Sequence, residues 1–259
     1  MEEPHSLKAY RLQNDERSED AMDGAASMDA SCHGSRQHWT AADYALESKA
    51  ADEDDWISFD PKEPGNDIND FLANNRPSAL CRSNKIGWIY VESPKDWRSG
   101  HEPDIDGLEE DWERLKSSGR SINFYTIMQL SKSHQMTLGK WLMHIPTGFQ
   151  ADYAWEKIAK ATARGDLGCA AKVSPYDSSQ TNYQHVICVY NEDCTNEEQI
   201  KDLEDKIRKN AGIKCHLNYK PEVYTYIGVY RRNEWNLRPT IYESVYTLHK
   251  GSEVKVLYD

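Results

Sequence analysis

Residues 139–230 constrain the fold more than any other part of this chain of 259 residues. Patterns typical of a strand, a helix, two strands, a second helix and a further strand follow one another there, separated by glycine, proline or polar turns. Helices with one apolar stripe bury it against the sheet that such strands form. The order therefore predicts an α+β fold: a curved, mainly antiparallel β-sheet backed by helices on one face.

The flanking segments extend this pattern. Residues 56–59, 85–91 and 239–248 favour strands, and Leu108, Trp112 and Leu115 have the spacing of the buried stripe of an amphipathic helix. Residues 121–138 fit both a two-residue and a helical period, so both interpretations stay open. Residues 222–230 are predicted as a strand that presents alternate tyrosines on one face.

The N-terminal 55 residues differ from the rest of the chain in charge. They hold fourteen acidic and five basic residues, a net charge of −9 out of −12 for the whole chain. With few large apolar residues, such a segment cannot bury enough surface to offset the entropy of ordering it. We expect a disordered acidic tail over 1–55, a single α+β domain over 56–250 and a C-terminal tail over 251–259.

The positions of the cysteines and the absence of known motifs restrict the classes of function that we expect. The six cysteines are scattered and form no C-x-x-C pair, which argues against a zinc ribbon or a disulfide framework. We expect neither a secretory leader nor a membrane span, and therefore a reducing, cytoplasmic or nuclear location. No catalytic motif is present, so we expect no enzyme, no cofactor and no metal; an enzyme acting on small nucleotides or phosphates is a minor alternative.

Several segments together resemble a known family. They are GKWLMHI at 139–145, the strand pair 169–173 and 185–190, the helix 196–211 and YTYIGVY at 224–230. The chain resembles the uncharacterised basophilic leukaemia-expressed protein family over roughly residues 56–250. That resemblance implies a fold like that of the mRNA cap-binding translation initiation factor. The family itself has no established activity that could be carried over.

The implied fold can be compared with a cap site residue by residue. Cap-binding factors stack a methylated guanine between two tryptophans, because a cationic base gains from electron-rich ring faces. Trp97 has a position similar to the first tryptophan, whereas the segment that corresponds to the second, SKSHQMTL at 131–138, has neither tryptophan nor glutamate. Among the basic residues that contact cap phosphates, Lys172 alone has a similar place. The resemblance implies half of a cap site, so specific cap recognition is not expected.

Our first functional hypothesis is a non-enzymatic protein that binds RNA or a nucleotide on the concave face of the sheet. Aromatic rings would stack on bases and cations would contact phosphates. The candidate stacking residues are Trp97, Tyr224 and Tyr226, and the candidate phosphate contacts are Lys172, Arg231, Arg232 and Arg238. Cross-strand tyrosine packing and a solvated arginine turn are the structural alternatives.

The second hypothesis is a protein-interaction adaptor without a small ligand. It would use the acidic tail or a helix surface around Trp112, although the spacing of Trp112 also suits a residue that faces the core. In the strand 140–145, Trp141 is expected in the core and Lys140 toward solvent, because successive side chains point to opposite faces.

Overall fold

The computed structural model describes residues 54–97 and 102–258, and a single eight-stranded sheet organises them. Its order is β1-β2-β4-β5-β3-β6-β7-β8. Strand β1 runs parallel to β2, and every other neighbouring pair is antiparallel. The strands are β1 Asp55–Phe59, β2 Ile86–Glu92, β3 Gly139–Pro146, β4 Ala170–Val173, β5 Gln184–Asn191, β6 Leu217–Pro221, β7 Tyr242–Thr247 and β8 Gly251–Val256. The predicted α+β class is confirmed.

Helices lie between the strands in the chain. In the described residues they are α1 Ile68–Asn74, α2 Ile105–Ser117, α3 Phe124–Ser133, α4 Phe149–Ala163, α5 Glu197–Ala211 and α6 Glu222–Tyr226. Helix α3 resolves the ambiguity of residues 121–138. It begins at a capping box in which the side chains of Asn123 and Thr126 bond each other's backbone N–H groups. No helix in the described ranges is long and apolar enough to cross a membrane.

The two faces of the sheet have different partners. Alternate strand residues such as Ile89, Trp141 and Ile187 share one large core with residues of helices α1 to α6. Their neighbours along the strands, such as Trp88 and Leu142, point the other way and form a smaller cluster. That cluster contains no residue of a described helix. This second face corresponds to the concave face of the sequence analysis.

The predicted strand over residues 222–230 is wrong. The chain turns directly from β6 into helix α6, and the N–H groups of Ile227 and Val229 donate to the carbonyl groups of Val223 and Tyr224. The neighbouring strand β7 pairs with Leu217–Tyr219 only and forms no strand pairing with the later residues. Local hydrogen bonds therefore decide the conformation, and the tyrosines do not alternate across a sheet.

The sheet also passes the predicted domain boundary at residue 250. Strand β8 pairs with β7 over its whole length, and the N–H group of Leu257 donates to the carbonyl group of Ile241. Residues 251–257 therefore belong to the domain rather than to a tail. The predicted acidic tail over 1–55 lies outside the described residues, except for its last two residues, and Asp55 begins β1.

Candidate functional site

Three lysines lie on the second face of the sheet. Lys172 in β4, Lys140 in β3 and Lys220 in β6 are 1%, 0% and 1% exposed. We call this surface the lysine face; it comprises these lysines and the rings of Trp88, Tyr90 and Tyr190. The expectation that Lys140 faces solvent is wrong, since its Nζ lies 3.1 Å from Oε2 of the equally buried Glu222.

Strand pairing places Lys140 and Lys220 directly opposite each other, and Lys172 lies two strands from Lys140 and two residues out of its register. Lys140 faces Lys220 on one side and Tyr190 on the other, while Lys172 faces Tyr90 and Cys188. Directly opposed side chains have Cβ atoms about 5 Å apart, and like charges in such a pair destabilise a sheet. The Glu222 carboxylate offsets this repulsion at Lys140. The three lysines concentrate positive charge on one sheet face.

Aromatic rings surround the ammonium groups. Lys172 Nζ lies 3.9 Å from the ring centroid of Trp88, 5.2 Å from that of Trp56 and 5.9 Å from that of Tyr190. Lys220 Nζ lies 4.0 Å from the ring centroid of Tyr230. The negative faces of aromatic rings attract cations at such distances, most strongly where water is excluded. The rings therefore help to hold these lysines in place.

A small pocket opens beside Lys172. Trp56, Tyr90, Trp97 and Tyr190 line it together with this lysine. The ring centroids of Trp56 and Tyr90 are 5.8 Å apart, which is direct aromatic contact. The cavity measures about 20 Å³, enough for about one water molecule. A flat aromatic ligand can enter only if one of the rings moves, and half-buried Trp97 is the one carried by a loop.

The structure brings together only part of the predicted set. Trp97 and Lys172 line the same pocket. Tyr224 is 1% exposed and belongs to the core on the helix side of the sheet, where burial raises its pKa. Tyr226 is partly buried against that same core. These two tyrosines therefore do not line the lysine face.

The predicted arginines lie on the loop after α6. Arg231 and Arg232 directly follow Tyr230, whose ring contacts Lys220, so they begin at the rim of the lysine face. Arg232 and Arg238 are exposed and Arg231 is half-buried. Arg238 comes at the far end of the loop.

Trp112 has the core position that its spacing allows. It is 6% exposed, and the ring of Trp235 packs edge-on against it at a centroid distance of 4.8 Å. The side chain of Asn233 fixes the loop that carries Trp235. It donates to the carbonyl groups of Tyr230 and Leu237 and accepts from the N–H groups of Trp235 and Leu237. The chain's own loop therefore covers the residue proposed for partner binding.

Several residues of the lysine face were missed from sequence. They are Trp88, Tyr90, Lys140, Tyr190 and Lys220, together with Trp56 in the adjoining pocket. Two signals were available. Trp88 and Tyr90 alternate within GWIY, and three apolar strands each contain a single lysine among the residues of the second face. A lysine inside a buried strand is rare unless its charge is paired.

The described part of the chain holds a His–carboxylate group, in which His134 lies 2.9 Å from Asp104 and 3.0 Å from Asp111. It holds no cluster of three or more His, Cys, Asp or Glu side chains able to bind a metal ion. Burial raises the pKa of the Cys194 thiol to about 12, so this side chain stays protonated at neutral pH. What the lysine face offers chemically is a set of cations and stacking surfaces.

Comparison with protein families agrees with the resemblance predicted from sequence. Residues 113–228 match the model of the basophilic leukemia-expressed protein Bles03 family. The match runs from within α2 to just beyond α6 and includes all three lysines of the lysine face. The predicted resemblance to the Bles03 family is confirmed.

Solved structures of eIF4E are similar to this chain. One is C. elegans eIF4E-3 with the 4E-binding protein Mextli and a cap analog, with 18% identity, a TM-score of 0.29 and coverage of 34% of this chain. Schistosome eIF4E with 4E-BP matches at 17% identity and a TM-score of 0.34 when complexed with m7GpppA, and at 15% and 0.32 when complexed with m7GpppG. Each schistosome match covers 52% of this chain and 80% of the other. This chain spans about half, 52%, of the C. elegans protein.

Proposed function

We propose that this protein binds RNA or a nucleotide on the lysine face and is not an enzyme. One observation carries the proposal: the Lys172 ammonium group lies 3.9 Å from the ring centroid of Trp88, and Trp56, Tyr90 and Trp97 line the pocket beside it. Stacking rings beside cations are the two elements with which proteins bind single-stranded nucleic acids without reading their sequence. The cysteine usage supports action in a reducing, cytoplasmic or nuclear compartment.

The arrangement of the three lysines suggests how such a ligand would lie. Lys172 and Lys140 each have their Nζ within 6 Å of the Tyr190 ring centroid, so the two nitrogens are within about 12 Å of each other. Lys220 lies directly opposite Lys140 on the next strand. The lysines of this face therefore extend from the pocket near Trp56 and Trp97 in the direction from β4 toward β6. Phosphates would follow that direction, and Arg231 and Arg232 would extend it at the rim.

Binding requires a movement of the pocket. The cavity of about 20 Å³ is far smaller than a nucleobase. Trp97 follows β2 on a loop and is half-buried, whereas Trp88 and Tyr90 are fixed within the sheet. The base would displace Trp97 and then stack on it. Trp97 therefore contributes to binding in its displaced position, and its replacement weakens the complex.

Anisotropy titrations of labelled single-stranded RNA, GTP and a methylated cap analogue test the proposal with the full chain at several salt concentrations. We expect Trp97→Leu to lose the roughly 1–3 kcal/mol of one stacked base, about 5- to 150-fold in affinity. Lys172→Met should make the slope of log K against log salt shallower by about 0.7, the change expected when one phosphate contact with a single strand is lost. Methionine keeps the length of the buried stem.

Lys201→Met is the matched control. Lys201 lies on α5, on the helix side of the sheet, with a side chain that is 51% exposed, so its replacement removes one positive charge that does not belong to the lysine face. Binding by this variant should equal that of the wild type. Two outcomes contradict the proposal: no saturable binding of any of the three ligands at low salt, or wild-type affinity and salt slope in folded Lys172→Met.

A further inference from the structure

Strand β8 forms one edge of the sheet. It pairs with β7 on one side, and no described strand pairs with its other side. Its residues are half-buried or exposed along the whole of Gly251–Val256. The outer side of an edge strand carries backbone N–H and C=O groups that can pair with another chain. Strand β8 therefore offers a surface to which a further strand can be added.

We propose that β8 pairs antiparallel with β8 of a second copy of this chain, with Val254 on the two-fold axis. In such an interface the same contact occurs twice, once on each side of the axis. Glu253 of each copy then faces Lys255 of the other copy. Ser252 of each copy faces Val256 of the other.

Charge selects this register from its neighbours. Two antiparallel copies that continue one sheet have the same face on the same side, so the register shifts only in steps that keep each side chain on its face. One step away in one direction, Glu253 faces Glu253. One step away in the other direction, Lys255 faces Lys255. Opposite charges that face each other stabilise a sheet and like charges destabilise it, so the register centred on Val254 is favoured.

The same two charges make the edge selective. Charged side chains on an edge strand discourage pairing with most other strands. Because one residue separates Glu253 from Lys255, a copy of the strand presents the opposite charge at each position. Lys255 is available for this contact: its side chain is 50% exposed, although its Nζ lies 3.8 Å from Oε1 of Glu243. The charge pattern therefore favours a second copy over an unrelated strand.

Exposed apolar residues are concentrated on the hairpin of β7 and β8. Val245, Leu248 and Val256 are three of the six large hydrophobic residues that are exposed in the described ranges. Val254 and Val256 share one face of β8. In the proposed pairing Val254 meets Val254 of the second copy, and Val256 meets Ser252. The pairing thus removes apolar surface from water as well as satisfying backbone groups.

The pairing also joins two lysine faces, and this consequence rests on the proposed function. The two-fold axis is perpendicular to the sheet, so both lysine faces lie on the same side of a continuous sheet. Five strand intervals separate Lys220 of one copy from Lys220 of the other, about 24 Å across the strands. A single RNA strand can therefore contact both copies, whereas a mononucleotide contacts one.

Sedimentation equilibrium of the full chain without any ligand tests the pairing, at physiological salt and from about 1 to 100 μM protein. We expect a monomer–dimer equilibrium. Glu253→Lys should weaken the dimer about tenfold or more, because two attractive pairs per interface become two repulsive ones. Lys255→Glu should have the same effect for the same reason. The double variant Glu253→Lys/Lys255→Glu should restore the wild-type Kd.

Glu156→Lys is the matched control. Glu156 lies on α4, which packs against β2 to β5, and its side chain is 46% exposed. This variant reverses the same charge away from β8, so it should dimerise like the wild type. Thermal unfolding followed by circular dichroism verifies that every variant is folded.

A disulfide locates the two-fold axis independently. Directly opposed residues of an antiparallel pair have Cα atoms about 4.5–5.5 Å apart, a distance that a disulfide spans. Val254→Cys should therefore give a covalent dimer on mild oxidation, and peptide mass spectrometry should find residue 254 in the link. In Ser252→Cys the two Cα atoms would be about 14 Å apart, too far for a disulfide, so this variant should not be linked.

Each outcome decides the inference. A monomer at every concentration overturns it, and so does a dimer that both single charge reversals leave unchanged, since that dimer would use another surface. Loss of the dimer in both single variants without recovery in the double variant contradicts the register, as does equal cross-linking of Val254→Cys and Ser252→Cys. RNA titrations separate the two proposals. If no RNA or nucleotide binds, the proposed function is refuted, while the ligand-free dimer equilibrium still tests the pairing.

Discussion

Removing the carboxylate of Glu222 should destabilise the fold more than removing the ammonium group of Lys140. Glu222 is 2% exposed and lies 3.1 Å from Lys140 Nζ, and Lys140 faces Lys220 in register. Glu222→Gln leaves two facing lysines without this carboxylate. Lys140→Met removes one of the two facing positive charges. Glu222 then remains two residues along the chain from the positive charge of Lys220. The two single variants therefore differ although they break the same ion pair.

The expected sizes follow from the burial of this pair. Breaking a buried ion pair by removing one partner costs about 3–5 kcal/mol, because the other charge stays in a medium that solvates it poorly. We expect about 4 kcal/mol for Glu222→Gln. Lys140→Met should cost about 2 kcal/mol, because methionine retains the apolar stem and the repulsion from Lys220 disappears. The double variant Lys140→Met/Glu222→Met should cost less than the sum by about 0.5–3 kcal/mol.

Urea unfolding of the full chain at neutral pH, followed by circular dichroism, measures these differences at unchanged m-value. In a domain of this size, 4 kcal/mol corresponds to a decrease of about 8–16 °C in Tm. The exposed pair Lys209–Asp205 is the control, and Lys209→Met should change stability by less than about 0.5 kcal/mol. A Glu222→Gln protein within about 1 kcal/mol of the wild type, or strictly additive single variants, would refute the reasoning.

Two further predictions concern other parts of the fold. Asn233→Ala should lower stability by about 2 kcal/mol, because one buried side chain satisfies four backbone groups of its loop; calorimetry would contradict this with an unchanged Tm. Burial lowers the pKa of His185 in the folded state, so as the pH falls the unfolded chain binds a proton at this residue before the folded chain does. Stability should therefore fall as pH decreases through about 6.5, and less so in His185→Gln; equal pH profiles from denaturant titrations would refute this role.

Local periodicity predicted most of the fold. The stripe Leu108, Trp112 and Leu115 identified α2, and short apolar runs bounded by turn or polar residues identified β2 to β5. It failed at residues 222–230, where alternation of tyrosines suggested a strand. Such a segment extends a sheet only if a neighbouring strand has residues left to pair with it. Strand β7 pairs with β6 only up to Tyr219. That information is not local to the segment.

The candidate site was harder to predict because strand order creates it. Strand β3 lies between β5 and β6, and only this order puts Lys140 beside Lys220 and Tyr190. Single strands showed a lysine among apolar residues, without showing that three such lysines share one face of the sheet. The resemblance drew attention to Trp97 and Lys172, which do share a pocket. It gave no signal for Lys140 or Lys220, which have no place in the cap-site pattern compared above.

The contact between Trp235 and Trp112 sets a condition on any protein that recognises helix α2. A partner that needs the Trp112 ring binds only molecules whose loop has opened, and its apparent Kd equals the intrinsic Kd divided by the open fraction. A loop open in ~1% of molecules weakens such binding ~100-fold. At high partner concentration the observed association rate would level off at the rate of loop opening, so the binding kinetics would measure how fast this loop opens.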